Sequence, residues 1–266
     1  MPWSCRVRGE HAKKINHAYW ASLTVKGGRR LRDLDVTLGG IWWVLRTGAM
    51  WHQMPPCFGK CNSVWRCFRR WCARGLWAWV LARLENQHRQ LRRVLSVDAS
   101  HMKAHQDAER YPLSAEGQKL GKTKGGRNTK LHVCVNHAGR AVKLLLLPGQ
   151  EHESKTALTM LPQDLHHCLV LMDKGYDSDE IITEIITRGG IPNIPPKANR
   201  KYPQPHDREL GKLRASVENF FCRMKRHRRL ATRYDKLPET YLGFVTLAAI
   251  TDWIKSTVCP RCLSHL

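Results

Sequence analysis

Beyond residue 94 the chain keeps switching between strand-like and helix-like periods, and that succession limits the fold more than any other feature. "RVLSVDAS" is a short strand-like run that closes on Asp98. "NTKLHVCVNHAG" alternates apolar and polar residues and ends in a turn over 136–139, and "AVKLLLLPGQ" follows as its hairpin partner. "SKTALTMLPQDL" reads as a helix from Ser154, "CLVLMDKGYDS" as a buried strand that ends at Asp173, and "SDEIITEIITRGG" as a helix with a serine cap and a glycine stop. "IPNIPP" is a strand that dies at Pro195-Pro196, and "DRELGKLRASVENFFCRMKRHRRL" is a long helix. The order strand, strand, strand, helix, strand, helix, strand, helix predicts an α/β domain. Its sheet is mixed, the first strands antiparallel and the later ones parallel. Between the first two strands, "LSAEGQKLGKTKGGRNTK" reads as a mobile basic loop, without the spacing of a phosphate loop.

The residues ahead of this pattern differ in charge and in aromatics. Residues 1–93 carry 18 Lys and Arg against 4 Asp and Glu, and nine of the ten tryptophans lie before residue 80. Residues 1–30 show no clear period. "LGGIWWVLRTGAMW" sets Ile41, Val44, Leu45 and Met50 on an apolar stripe. After the loop "MPPCFGKC", a second helix runs from Ser63 through "SVWRCFRRWCARGLWAWVLARLENQ". Arg66, Arg69, Arg70 and Arg74, interleaved with aromatics, suit a small helical DNA-binding unit whose tryptophans form its core. We therefore divide the chain into a basic helical domain over 1–93, an α/β domain over 94–258 and a tail over 259–266. The formal charge of the whole chain is +23, which favours a polyanionic partner. No apolar run is long enough to cross a bilayer and no signal pattern opens the sequence, so nucleic acid is a better partner than a membrane.

One acid stands out among the cations. The stretch "SVENFFCRMKRHRRLATRYDK" holds Arg223, Lys225, Arg226, Arg228, Arg229, Arg233 and Lys236, with Glu218 the sole carboxylate until Asp235. A carboxylate repels phosphate, so Glu218 needs a reason to be there. Asp98 and Asp173, each closing a predicted strand, supply one, because ligand sites of α/β sheets open at strand ends. Three convergent carboxylates repel one another unless a cation joins them, and all-oxygen ligation suits Mg²⁺ or Mn²⁺. A pair of such ions clamps the attacking and leaving oxygens of a phosphoryl transfer. Arg214 and Lys225 share a helical face with Glu218 and flank it with positive charge. The plainer reading is an Arg214–Glu218 pair on a solvated helix.

With these residues in view the chain resembles bacterial insertion-sequence transposases of the DDE class, in the insertion-sequence-five group. The resemblance rests on "VDAS" at 97–100, "LMDKGYDS" at 171–178 and "RASVENFFCRMKRHRRLATRYDK" at 214–236, with support from "GGRNTKLHV" and "PGQEHESKTAL". It covers roughly residues 40–255. It implies an RNase H-like catalytic domain, and Asp98, Asp173 and Glu218 as the metal-binding catalytic triad. It also implies Arg214 and Lys225 as basic residues on the DNA; from their position Arg226, Arg228 and Arg229 are expected to extend that track, and Arg66, Arg69 and Arg70 to be further contacts. The cofactor implied is Mg²⁺ or Mn²⁺, as two ions. The partners implied are double-stranded DNA, both terminal inverted repeats and target, and further copies of the chain in a dimer or higher oligomer. The location implied is the bacterial cytoplasm, on the nucleoid when DNA is bound. Gly211 stands where the family often has tyrosine, and Glu153 where it usually has aspartate.

Two rivals remain at this level: a DNA-binding protein without catalysis, and a nuclease of the same fold that does not join strands. The ten cysteines form no framework. Cys259 and Cys262, and Cys57 and Cys61, each offer two thiols where structural zinc needs four ligands, so reduced thiols are expected. His101 and His105 lie near Asp98 and read as surface histidines.

Overall fold

The computed structural model describes residues 34–109, 114 and 117–257. The readings made for residues 1–30 and for Cys259 and Cys262 lie outside that range. Helix α1 spans Leu34–Thr47 and buries Ile41, Val44 and Leu45 completely. The chain turns away at Gly48, so Met50, which the period groups with them, is 56% exposed. The helix expected from Ser63 is in fact two, α2 (Cys61–Ala73) and α3 (Leu76–Gln87). Gly75 between them sits at φ +67°, a left-handed conformation that glycine adopts without a Cβ clash and that ends a helix.

The sheet is mixed, as expected. Strands β1 (Val94–Ala104), β2 (Gly121–Thr123), β3 (Gly126–Asn136), β4 (Ala141–Pro148), β5 (Leu169–Leu171) and β6 (Ile191–Asn193) form it, in the order β2-β3-β1-β5-β6 with β4 also beside β3. β1 pairs antiparallel with β3 and parallel with β5, and β5 pairs parallel with β6. The basic segment before β3 is thus no loop throughout, since β2 and β3 close a hairpin. The helix expected from Ser154 shrinks to a 3-10 turn, Glu153–Thr156, and a single turn, α4 (Ala157–Met160), with Pro162 close behind. Helix α5 (Asp179–Thr187) forms as read, its Ser178 hydroxyl accepting from the amide of Ile181 at 3.3 Å.

The long helix also breaks. It becomes α6 (Arg208–Gly211), a 3-10 turn (Lys212–Arg214), α7 (Ala215–Lys225) and α8 (Arg228–Ala231), followed by the two-residue β7 (Thr232–Arg233) beside β1 and by α9 (Pro238–Thr257). These elements cover both faces of the sheet, each face over its own core. Leu95, Val97, Cys134 and Val170 pack with α4 and α5 on one side. Leu131, Val133 and Val135 pack with α7 and α9 on the other.

The second core does not stop at the sheet. Ile41, Phe68, Trp71 and Trp77 of the N-terminal helices belong to it together with Phe220, Phe244 and Trp253. The rings of Phe68 and Phe244 lie 4.3 Å apart, a packed aromatic pair. The cut at residue 93 drawn from charge and composition therefore runs through a shared core. Among the described residues no helix is long and apolar enough to cross a membrane.

Candidate active site

Ser96, Asp98 and Ser100, alternate residues of β1, carry polar side chains toward α7. Three contacts cross that gap. The Ser216 hydroxyl meets that of Ser96 at 3.3 Å, Arg214 donates to the Asp98 carboxylate at 2.7 Å, and the Lys225 ammonium donates to the Ser100 hydroxyl at 2.9 Å. They fix how α7 lies over the strand. Arg214 also donates to Glu218 at 2.9 Å, so one guanidinium spans two of the expected acids. The plainer pair of the sequence reading exists, then, as half of a bridge that reaches the sheet. Glu218 is on the edge expected of it, with its side chain 58% exposed.

The sequence puts Asp98 at a strand end, but the structure sets it inside β1. β5 stops short of Asp98. The last parallel pair is Ser96 with Leu171, so Asp98, still in β1, and Asp173, past the end of β5, both lie two residues beyond it. Asp173 caps the 3-10 turn Lys174–Tyr176, its carboxylate accepting from the Gly175 amide at 2.8 Å. A Cβ at residue 175 would come within 2.9 Å of that oxygen, which is why glycine follows at this spacing. Burial pushes the Asp98 carboxyl above its usual range and the Asp173 carboxylate adds to the rise. The Ala99 amide and Arg214 oppose it.

The three acids are not drawn into one cluster. Among the described residues no three His, Cys, Asp or Glu side chains are gathered closely enough to hold a metal ion. Arg214 supplies the counter-charge for Asp98 and Glu218.

Of the basic residues near Glu218, some are structural. Arg229, read as part of the DNA track, is buried and bidentate to Asp235 at 2.9 Å, so it offers nothing to a ligand. Arg233 is fully buried and holds Thr129. Arg223 donates to Asp252 and to the Gly139 carbonyl, and Arg140 joins the same aspartate at 2.6 Å. This hub ties α7 to α9 and to the β3–β4 turn. Lys225, Arg226 and Arg228 remain exposed, as do Arg66, Arg69 and Arg70 on the outer face of α2. Gly211 lines a cleft of about 210 Å³ with Met172, Asn193, Arg208 and Arg214, and a side chain there would meet open space.

The opposite face of the same strands holds a polar chain that the sequence reading missed. Lys130 and His132 alternate on β3 and point away from α7. Lys130 pairs with Glu153 at 2.9 Å and donates to the Glu151 carbonyl at 2.6 Å. Burial works against ionised Glu153, but the Lys130 hydrogen bond and charge more than offset it and keep its pKa low. The Thr156 hydroxyl donates to the Glu153 carbonyl, so His132 Nδ1, 3.0 Å away, must be the donor to Thr156. That leaves Nε2 to accept from the Tyr176 hydroxyl at 3.1 Å. Burial lowers the His132 pKa to about 4 and raises that of Tyr176, so both are neutral. Because Tyr176 ends the turn that Asp173 caps, this chain fixes the loop carrying one acid. The alternation of "TKLHV" was the available signal.

Comparison with known proteins bears on this arrangement. A family model described as "Transposase DDE domain" matches residues 89–252, more than half of the chain. A second, described as "Putative transposase of IS4/5 family", matches residues 18–81. A "Putative transposase for insertion sequence element IS6501" from Brucella ovis is 30% identical over 142 residues, 48% of this chain and 98% of that protein. Among solved structures, a pre-cleavage Mos1 transpososome is 12% identical at a TM-score of 0.27, over 90% of this chain and 84% of its own. The catalytic domain of Mos1 mariner transposase is 14% identical at 0.26, over 71% and 93%. Likeness at that level does not superpose one site on another.

Proposed function

The chain belongs to the transposase DDE family, and from that premise we propose that Asp98, Asp173 and Glu218 are its catalytic carboxylates. The enzyme is an insertion-sequence DDE transposase with an RNase H-like catalytic domain. It acts on DNA by cleavage and strand transfer, and enzymes of this family depend on divalent metal. One observation carries the assignment to these residues: Asp98 and Asp173 both lie two residues beyond the last β1–β5 pair, and Arg214 links Asp98 to Glu218.

The donor set suits Mg²⁺ or Mn²⁺, since all three groups are carboxylates, and two ions are the number we propose. Burial is the main cause of the raised Asp98 pKa and the Asp173 carboxylate adds to it; a bound cation would oppose both. Metal bound here would supply Lewis acidity and a water made acidic enough to attack phosphorus. The protein's own groups do the remaining work. Arg214 serves as counter-charge to Asp98 and Glu218, and with that role met from elsewhere it is released to a backbone phosphate. Lys225, held at Ser100, stands beside the scissile phosphate and stabilises its developing charge. Arg226 and Arg228 carry the backbone onward. Arg66, Arg69 and Arg70 take the element's terminal repeat, with the Arg69 guanidinium stacked over Trp65 at 5.6 Å. Duplex ends and target meet on a dimer or higher assembly.

The test is strand joining. The purified chain, a duplex carrying the terminal repeat, and a target plasmid are incubated with Mg²⁺. Covalent joining of the 3′ end to the plasmid is the result expected. Nicking at the repeat without joining would make the enzyme a nuclease. Sequence-specific binding without either would make it a binding protein.

A further inference from the structure

A dense run of lysine and glycine, "GKTKGGR" over 121–127, lies outside the proposed catalytic residues. It forms the β2–β3 hairpin, and its base is rigid. The Asn128 amide donates to the Thr123 hydroxyl at 2.6 Å and to the Gly126 carbonyl at 3.2 Å, while Thr123 donates to that same carbonyl at 3.1 Å. His101 on β1 holds the other end of the Asn128 amide at 2.9 Å. Gly121 lies so near the end of β4 that a Cβ there would come 1.6 Å from the Gln150 side chain. These contacts commit the buried Asn128 amide to holding a turn whose tip, Lys124 to Gly126, is exposed.

The hairpin also points the right way. β1 runs past Asp98 toward it, and Lys103, exposed, lies opposite Asn128 at its base. Lys122 and Lys124 are exposed, whereas Arg127 is paired with Glu109 at 3.0 Å and is not counted. Val133 lies opposite Asp98, and Gly126 is seven residues further along β3. At about 3.4 Å per residue the tip stands roughly 24 Å from the level of Asp98. Duplex DNA advances about 3.4 Å per base pair, so on a duplex laid along β1 the tip falls about seven base pairs from the reacting phosphate. A two-stranded ribbon fits the major groove, and glycines at its tip allow close approach to the backbone.

We propose that the β2–β3 hairpin is a second DNA-contacting element, a rigid basic ribbon that seats Lys122 and Lys124 on duplex about seven base pairs from the scissile bond. The distance rests on the proposed catalytic role of Asp98, but the contact does not. The alternative is that lysines on the short edge strand β2 only keep that edge from pairing with other chains.

The experiment uses the full chain and a 40-base-pair duplex bearing the element's terminal repeat. Affinity is measured over a series of salt concentrations, with hydroxyl-radical footprints, for the parent, Lys122→Ala/Lys124→Ala and Lys122→Arg/Lys124→Arg. The alanine variant is expected to lose about two units of salt slope and its protection in one window about seven base pairs from the cut, at an unchanged unfolding temperature. The arginine variant should keep both. A slope and footprint equal to the parent's, with or without new aggregation, would overturn the proposal. If the window is lost elsewhere on the duplex, the contact stands and the distance from Asp98 falls.

Discussion

The two faces of strands β1 and β3 handle polar groups in opposite ways. Toward α7, Asp98 and Glu218 share one guanidinium, Asp173 stands beside them, and Glu218 remains largely exposed. Toward α5, Tyr176, His132, Thr156, Glu153 and Lys130 are joined in one run of hydrogen bonds, and His132 is fully buried. The first face keeps charge in surplus where a ligand can reach it. The second gives up every donor and acceptor to hold a turn. The proposed chemistry uses the face left unsatisfied, and the satisfied face sets where Tyr176 holds the turn that Asp173 caps.

The contrast is broken most severely at Asp173. Asp173→Asn keeps the shape of the turn and loses the charge. Single-turnover cleavage should fall by about 10³-fold or more, with DNA affinity and unfolding temperature nearly unchanged, because binding rests on Lys and Arg contacts to phosphate. Cleavage within tenfold of the parent would remove Asp173 from the mechanism.

The buried face should show itself in acid. His132 and His227 both have pKa values lowered by burial to about 4. Their folded pKa lies below the unfolded value, so the stability they permit is complete above about pH 6.5 and is lost as pH falls toward 4. Each protonation costs up to about 3 kcal/mol. Asp98, with its raised pKa, opposes this weakly, since its own contribution is lost as pH rises. Guanidinium titrations from pH 4.5 to 7.5 should show stability falling with acid, and His132→Asn should lower that slope by about one proton. A slope equal to the parent's would mean that His132 titrates normally.

Much of this was legible. Asp98 and Asp173 announce themselves because each closes an apolar run, and α5 because Ser178 caps it and two glycines end it. Arg228 and Arg229 were not separable. They are adjacent and alike, and only the fold brings Asp235 to one of them. The break after Lys225 carries no glycine or proline, so periodicity ran the helix through it. The hairpin at 121–126 had its signal in Gly125-Gly126, but lysines on both sides made it read as a loop. The shared core escaped because tryptophans that look like the core of a small domain serve equally well against α9.

Smaller effects sharpen the comparison on the exposed face. Lys225→Ala should lower the cleavage rate about tenfold and affinity far less, as expected of a cation beside developing charge. Equal losses in rate and affinity would make Lys225 a general phosphate contact. Arg228→Ala should weaken binding and flatten its salt dependence by about one unit while leaving stability alone. Its neighbour is the control. Arg229→Ala should cost about 3–5 kcal/mol in denaturant titration, because Asp235 would be left buried and unpaired.

The central claim is that Asp98, Asp173 and Glu218 close around one metal site although Arg214 stands between two of them. It is tested most directly by loading the DNA-bound chain with Fe²⁺, adding ascorbate and peroxide, and mapping where the polypeptide is cut. Cuts clustered beside residues 98, 173 and 218, all suppressed by excess Mg²⁺, are the expected result. Cuts beside 98 and 173 with none near 218, or cuts that Mg²⁺ does not suppress, would contradict it.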